Sequence, residues 1–453
     1  MLAIWPLVAV WLFARLDPVR ALIWGTILPF LLLPPVARFD LPGLPDLDKV
    51  NIANLTLLVL VLFQLKARPE FVPKSRLLRG LLVLFVFSPF ATVLTNPEGY
   101  VVGGRLFPGQ RIYDSISFLA YQALAVVPFF LGRHFLAQPQ TVRPLLLALV
   151  AACLAYSLPM LVEVRLSPQI NVWVYGFFQH DFLQMIRQGG FRPIVFLPHG
   201  LWVAFFTMMA VVSAAVLIRL DGPDRRPWWL LAFLWLAVVL VLTKTLGALA
   251  MALALVPAVL ILPPRLMVLI AAGVAAMVIT YPLLRGAGLI AVGDIIALVE
   301  RIDPARAQSF AFRIGNEEAL LDRAQIKPWF GWGGYARNLI HDPDTGRLLT
   351  VPDGNWIIVL GIFGWTGYLA QFGLLVLPLL RLGRLALARR PGIELPVAGL
   401  ALIYAANLIE LLPNATLMTL TWLIAGALTG QAETLIAARA ARAAPPARPR
   451  TIL

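Results

Sequence analysis

The stretch "FLPHGLWVAFFTMMAVVSAAVLIRLDGPDRR" (residues 196–226) sets the fold class. Residues 196–218 contain no Asp, Glu, Lys or Arg. A helix needs roughly 20 such residues to cross the hydrocarbon core of a bilayer. The run closes on Arg219, Arg225 and Arg226, a short basic loop of the kind that stays on the cytoplasmic side. The same alternation recurs along the chain. Candidate spans cover about 1–14, 20–36, 51–65, 77–95, 115–133, 141–162, 196–218, 227–243, 246–262, 265–284, 355–380, 395–411 and 413–434. The break between the eighth and ninth rests on "TKTLG" and also suits a re-entrant turn. The expected architecture is an all-α polytopic membrane protein of about twelve to fourteen transmembrane helices, with a long outer loop containing amphipathic helices.

Composition agrees. The 453 residues are 60% hydrophobic and only 13% charged, against about a quarter charged in soluble domains. A net charge of +14 raises the question of nucleic acid. The basic residues are scattered between apolar spans and form no single patch, which argues against it. With the loop 219–226 inside, alternation also places inside Lys66, Arg68, Lys74, Arg76, Arg79, Arg133, Arg143, Arg265, Arg381, Arg384, Arg389 and Arg390. Arg439, Arg442, Arg448 and Arg450 follow, so the C-terminus is inside. Residues 1–436 read as one transmembrane domain and 437–453 as a disordered basic tail. Cys153 lies within an apolar run and reads as filler. The histidines are too dispersed for an i, i+4 metal pair, and no metal site is expected. The N-terminus lacks a basic n-region and a small-residue cleavage site, so it reads as a retained span.

Two outer segments, about 163–195 and 285–354, are long enough to hold a site. Within the second, residues 303–326 read as a helix on the membrane surface. Asp303 suits the N-cap and Pro304 the first helical position. Phe310, Ile314 and Leu321 share a face, and Arg313 and Glu317 stand at i, i+4, where they can pair. The helix should stop at Lys327-Pro328, and "GWGG" then lets the backbone turn. The glycines are not a dinucleotide fingerprint, because no strand precedes them and no helix starts on them.

Four short patterns carry a resemblance. They are "FRIGNEEALLDRAQIKPWFGWGG" (312–334), "DGNWIIVLGIFGWTGYLAQF" (353–372), "GGFRPIVFLPHGLWVAFF" (189–206) and "LTKTLGALAMAL" (242–253). Together they resemble the O-antigen ligase/polymerase superfamily of bacterial envelope proteins. Shared features are an arginine followed by an amphipathic helix, a P-x-x-G-x-G turn, a variable outer loop, and a polar residue before a span containing GxxG. The resemblance covers roughly 185–380; residues 1–150 compare only in hydropathy. Lys244 stands where arginine is usual, and no histidine occupies the His-Asn position of ligase-like members.

The resemblance implies metal-independent, cofactor-free glycosyl transfer at the outer face of a bacterial inner membrane. The donor would be a glycan on undecaprenyl diphosphate. The acceptor would be a lipid-linked glycan or lipid A core, and other envelope-polysaccharide assembly proteins are expected as partners. Such a leaving group needs fixed cations, and arginine forks onto phosphate oxygens. Arg192, Arg313 and Lys244 are the expected cations, with Arg323 in reserve; Trp332 and Asn355 are expected to contact the substrate. Asp353 suits either a general base or the N-cap of the following span. His199 suits either a base or a structural role. The missing histidine leans the reading toward a polymerase. A transporter or flippase for a lipid-linked sugar is the alternative, although transporters place ionisable groups near the membrane midplane. Here Glu163 and Lys244 sit at span ends and Glu410 in the break "LIELLPN".

Overall fold

A computed structural model describes residues 1–40, 45–65, 70–187, 189–302, 304–388 and 392–443. Asp303, Lys66, Arg68, Arg389, Arg390, Arg448 and Arg450, to which the sequence assigns roles, lie outside the described residues.

The chain folds into helices α1 (Trp5–Arg15), α2 (Pro18–Leu32), α3 (Lys49–Phe63), α4 (Arg76–Leu94), α5 (Ile112–Ala125), α6 (Val127–Phe135), α7 (Pro139–Leu166) and α8 (Ile170–Tyr175). There follow α9 (Gly200–Leu220), α10 (Arg226–Leu242), α11 (Leu246–Ile261), α12 (Pro264–Gly286), α13 (Val292–Ile302), α14 (Pro304–Ile326), α15 (Asn355–Leu387), α16 (Leu395–Glu410) and α17 (Thr419–Ala443). Strand structure among the described residues is limited to two short antiparallel hairpins, β1–β2 (Tyr100–Val102, Arg105–Phe107) and β3–β4 (Ile186–Arg187, Gly190–Phe191). Each apolar stretch expected to span contains a helix, although the helices begin later than expected at Gly200 and Thr419 and end earlier at Leu32. Among the described residues, six spans are long and apolar enough by themselves to cross a membrane: α4, α5–α6 together, α7, α9, α12 and α15. The chain is therefore an all-α membrane protein. α17 continues through Ala443, so the helix extends past the expected start of a disordered tail at 437. Alanine and arginine are strong helix formers, which accounts for the extension.

α9 is the central helix, 89% buried within the protein, and it packs against α7, α10, α11 and α16. α6 lies close against α17, where Gly426 and Gly430 form a GxxxG pair opposite Gly132. A Cβ at Gly426 would sit 2.0 Å from the Phe129 carbonyl oxygen. Small residues let helix backbones approach in this way inside a bilayer.

Arginines lace one end of the bundle. Arg133 pairs with Glu433 at 2.8 Å, and Arg143 with Asp221 at 2.7 Å. Arg219 donates to the carbonyls of Val259 (2.6 Å) and Leu262 (2.5 Å) at the end of α11. Arg265 donates to Ala386 at the end of α15, at 2.9 Å. These are the carbonyls that a helix terminus leaves without an intrahelical partner.

α15 is broken. Gly364 adopts φ 64°, ψ −165°, outside the helical region. The segment after α14 fills the break. Trp332 and Gly333 N–H donate to the Gly361 and Ile362 carbonyls, both at 2.9 Å, and Trp365 N–H donates to Pro328 at 2.7 Å. Thr366 Oγ1 donates to the Trp329 carbonyl at 2.8 Å. Buried Arg337 closes the far side of this segment by donating to Glu98 and Pro108, both at 2.8 Å. The "PWFGWGG" turn and the GxxG of the following span are thus partners in one backbone junction.

Gly364→Ala should disrupt that junction. Its Cβ would lie 2.4 Å from the Trp329 backbone at a φ that L-residues rarely adopt. The expected loss is roughly 3 kcal/mol or more, read as a lower thermal midpoint of the detergent-purified protein. An unchanged midpoint would show that the docking is dispensable.

Candidate functional site

Chain alternation brings the connections α7–α9, α10–α11, α12–α15 and α16–α17 to the end of the bundle opposite the arginine lacing. A cavity of about 880 Å³ lies among them. Its polar wall carries His180, Arg187, Arg192, His199, Lys244, Arg313, Asp353 and Glu410. Its apolar part is lined by Leu201, Trp202 and Phe205 of α9 with Leu246 and Met251 of α11.

Each polar residue is held by its own connection. Glu163 at the end of α7 is fully buried, and its carboxylate accepts the N–H groups of Ile170 (3.1 Å), Ile194 (2.8 Å) and Val195 (2.8 Å). That clasp folds the segment 167–199 onto the bundle and presents Arg192 and His199. Arg192 is 1% exposed and donates through Nη2 to Thr245 Oγ1 at 2.8 Å. Gly200 makes room for it, since a Cβ there would fall 2.6 Å from Arg192 Nε. Burial, then the Arg187 and Arg313 charges, pull its guanidinium down to about 10, with Glu410 opposing, and it stays cationic at neutral pH. Lys244, at φ 52°, turns the chain between α10 and α11 and donates to the Arg187 carbonyl at 2.8 Å.

Asp353 and Arg313 form an ion pair, Nε to Oδ2 at 3.3 Å, both partly exposed at the rim. Asn316 sets their register, because its Oδ1 accepts the Val351 N–H at 2.9 Å. The pairing expected between Arg313 and Glu317 is absent; Arg313 turns to Asp353 instead. Glu317 faces inward, 7% exposed. Burial pushes its carboxyl up to about 7, offset in part by the nearby Trp356 indole, Arg285 and Arg313, and reinforced by Asp353. Among the described residues, the face that α14 buries consists of Ala307, Asn316, Glu317, Leu320, Leu321 and Ala324, while Phe310 and Ile314 are only half-buried. Asp353 is not the N-cap of α15. Gly354 takes that position, and Asn355 N–H is capped by the carbonyls of Leu411 (2.9 Å) and Asn414 (3.3 Å). A Cβ at Gly354 would meet the Leu411–Leu412 turn, 2.1 Å from the Leu412 oxygen, which is why a side chain larger than hydrogen is not accommodated there.

His199 is the N-cap of α9. Its Nδ1 accepts the Leu201 N–H at 3.0 Å, which leaves Nε2 carrying the proton. Burial and the Arg192 charge, followed by His180, Arg187 and Arg313, pull it down to about 3, so it remains neutral. The structure therefore makes His199 a hydrogen-bond donor to the cavity and not a base. His180 stands edge-on to it, ring centroids 4.6 Å apart, with its own Nδ1 accepting the Asp181 N–H at 2.7 Å.

The cavity thus gathers Arg192, His199, Lys244, Arg313 and Asp353 of the residues singled out from the sequence. Arg323, Trp332 and Asn355 do not line it. Arg323 stacks on Trp332 at 4.0 Å and donates to the Arg337 carbonyl. Trp332 Nε1 donates to the Arg323 carbonyl at 2.8 Å. The Asn355 side chain accepts from Gln371 at 2.8 Å. These three build the frame behind the site. Sequence reasoning passed over Arg187, His180 and Glu410 as site residues. Glu410 carried a signal, a lone carboxylate at the end of an apolar span. No protein-family model matches the chain, and no curated protein matches it.

Two outcomes follow. The Glu317 carboxyl binds its proton more tightly folded than unfolded, so it contributes stability that is lost as pH rises from about 4.5 to about 7. Glu317→Gln should remove this decline, raising the thermal midpoint at pH 8 by a few °C relative to wild type and leaving it nearly unchanged at pH 4.5. Parallel midpoints at both pH values would contradict the assignment. Gly200→Ala should displace Arg192, and a crystal or cryo-EM structure with the guanidinium still on Thr245 would count against that.

Proposed function

We propose that the protein is a glycosyltransferase of a bacterial inner membrane, acting at the periplasmic face on glycan repeats carried by undecaprenyl diphosphate. Polymerisation of an O-antigen or exopolysaccharide is favoured, and transfer by a ligase comes next. The observation that carries the reading is the convergence of Arg192, Lys244 and Arg313 on a cavity with an apolar inner wall. A lipid diphosphate is a multiple anion on a hydrocarbon tail, and such a cavity suits both parts. The four motifs that resemble the O-antigen ligase/polymerase superfamily bring their polar residues to this same end of the bundle, which supports the reading further. The arginine-laced opposite end fits a cytoplasmic face, because Lys and Arg of short loops collect there.

In this reading the acceptor hydroxyl attacks the anomeric carbon of the donor glycan, and the bond to the lipid diphosphate breaks. The departing diphosphate takes the bonding electron pair. Arg192 and Arg313 hold the growing charge, and neutral His199 donates Nε2–H to it. Buried Arg192 is preorganised, since Thr245 already fixes its guanidinium. Arg313 must exchange Asp353 for a phosphate oxygen, so Asp353 keeps the arginine in place between turnovers. Lys244 contributes charge at the rim. A flippase reading finds less support, because the cavity's ionisable groups gather at one end of the bundle and not midway along it.

Arg192→Ala and Arg313→Ala should each lower chain formation on the order of 100-fold or more while the protein stays at normal level in the membrane. The direct experiment is deletion in the source bacterium followed by sizing of surface and carrier-linked glycans. Single repeats without long chains indicate a polymerase. Full chains stranded on the carrier indicate a ligase. Repeats trapped inside the cell would replace this reading with a flippase, and unchanged glycans in the arginine variants would remove the cation role.

A further inference from the structure

We infer that Glu410, at the end of α16, is the base that takes the proton from the acceptor hydroxyl, an inference that rests on the glycosyl-transfer reading above. Among the described residues, the histidines and carboxylates on the cavity wall are His180, His199, Asp353 and Glu410. Both histidines have an accepting atom committed. The Nδ1 atoms of both histidines receive backbone N–H groups, so each presents a protonated Nε2 to the cavity. Asp353 starts paired with the Arg313 guanidinium at 3.3 Å and lies at the partly exposed rim, apart from the buried wall.

Glu410 differs on each point. It is 3% exposed. Its Oε1 accepts the Asn414 side-chain amide at 2.9 Å, and Glu410 lines the cavity. The turn that follows it, Leu411 to Asn414, gives its carbonyls to the first N–H of α15, so the carboxylate is mounted on the structure that positions Asp353. The amide of Asn414 orients the carboxylate at the cavity wall. The charged groups acting on it are Arg192, from the segment before α9, and Arg313, from α14. Both lie where a lipid diphosphate would draw their charge away, which frees the carboxylate as the donor binds.

The step balances as follows. The acceptor O–H bond breaks and its proton passes to Glu410 Oε2. The acceptor oxygen forms a bond to the anomeric carbon of the donor. The bond from that carbon to the phosphate oxygen breaks, and its electron pair leaves with the lipid diphosphate. Glu410 returns the proton to water before the next turnover.

The test uses purified full-length protein in proteoliposomes, with a lipid-diphosphate-linked oligosaccharide as donor and acceptor. Polymer and released lipid diphosphate are both measured. Glu410→Gln keeps the shape and an oxygen for Asn414 but accepts no proton. Its kcat should fall at least ~100-fold, with KM within about twofold and the acidic limb of the kcat–pH profile gone. Glu410→Asp should recover at least ~10-fold over the glutamine variant and restore a limb. Matching thermal midpoints establish that all three proteins fold alike. A glutamine variant within about threefold of wild-type kcat, or aspartate no better than glutamine, overturns the role of Glu410. A wild-type protein that forms no product and releases no lipid diphosphate at any pH, with either the lipid-linked oligosaccharide or lipid A core as acceptor, overturns the glycosyl-transfer reading itself. That result is distinct from an active wild type matched by an active Glu410→Gln.

Discussion

Backbone polar groups inside an apolar environment must find partners, and the break at Gly364 is where this constraint shapes the molecule most. A helix interrupted there exposes the Gly361 and Ile362 carbonyls and the Trp365 and Thr366 N–H groups. The segment 328–333 satisfies them with its own backbone. Glycines at 331 and 364 permit the approach, because a Cβ on either would fall inside the opposing main chain. That junction ties the end of α14 to the start of α15. Arg313 then meets Asp353, and Glu317 turns beneath Trp356. The rim of the cavity is in this sense a consequence of a backbone accounting problem deeper in the protein.

Arginines do two physically different jobs at the two ends of the bundle. At one end, Arg219 and Arg265 saturate the carbonyls left over at the ends of α11 and α15. Arg133 and Arg143 close ion pairs between neighbouring elements there. At the other end Arg192 and Arg313 face a shared space, beside Arg187 and Lys244. The four stand against only Asp353 and Glu410 among the cavity's carboxylates. A protein without an anionic ligand gains little by crowding like charges, which add to burial in pushing the Arg192 guanidinium downward. Crowding of this kind marks sites built for a purpose other than stability.

Carboxylates divide their work as sharply. Glu163 spends both oxygens on three backbone N–H groups and is a clasp. Asp353 steers an arginine, and Glu317 is held near neutrality by burial. Glu410, buried on the cavity wall, gives one oxygen to the Asn414 side-chain amide. Position along the chain distinguishes none of them, since Glu163 and Glu410 both sit at the end of an apolar span.

The sequence by itself determined the helices, their order and the segments that lie between them. Hydrophobic length is a local property, and the bilayer requirement of about 20 apolar residues reads directly from residues such as 196–218. The stop of α14 at Pro328 and the turning glycines were legible for the same reason, because φ restriction acts residue by residue. Arg192, Lys244, Arg313 and Asp353 stood out as polar residues at span ends. What only the tertiary structure decided was partnership. Arg313 prefers Asp353, distant in the chain, to Glu317 one turn away, because packing turns Glu317 inward. Arg323, Trp332 and Asn355 look like site residues until their side chains are seen committed to one another, to Arg337 and to Gln371. His199 looks like a base until a backbone N–H occupies its lone pair. Each of these outcomes depends on which groups meet across the fold, and side-chain spacing along one helix carries no record of that.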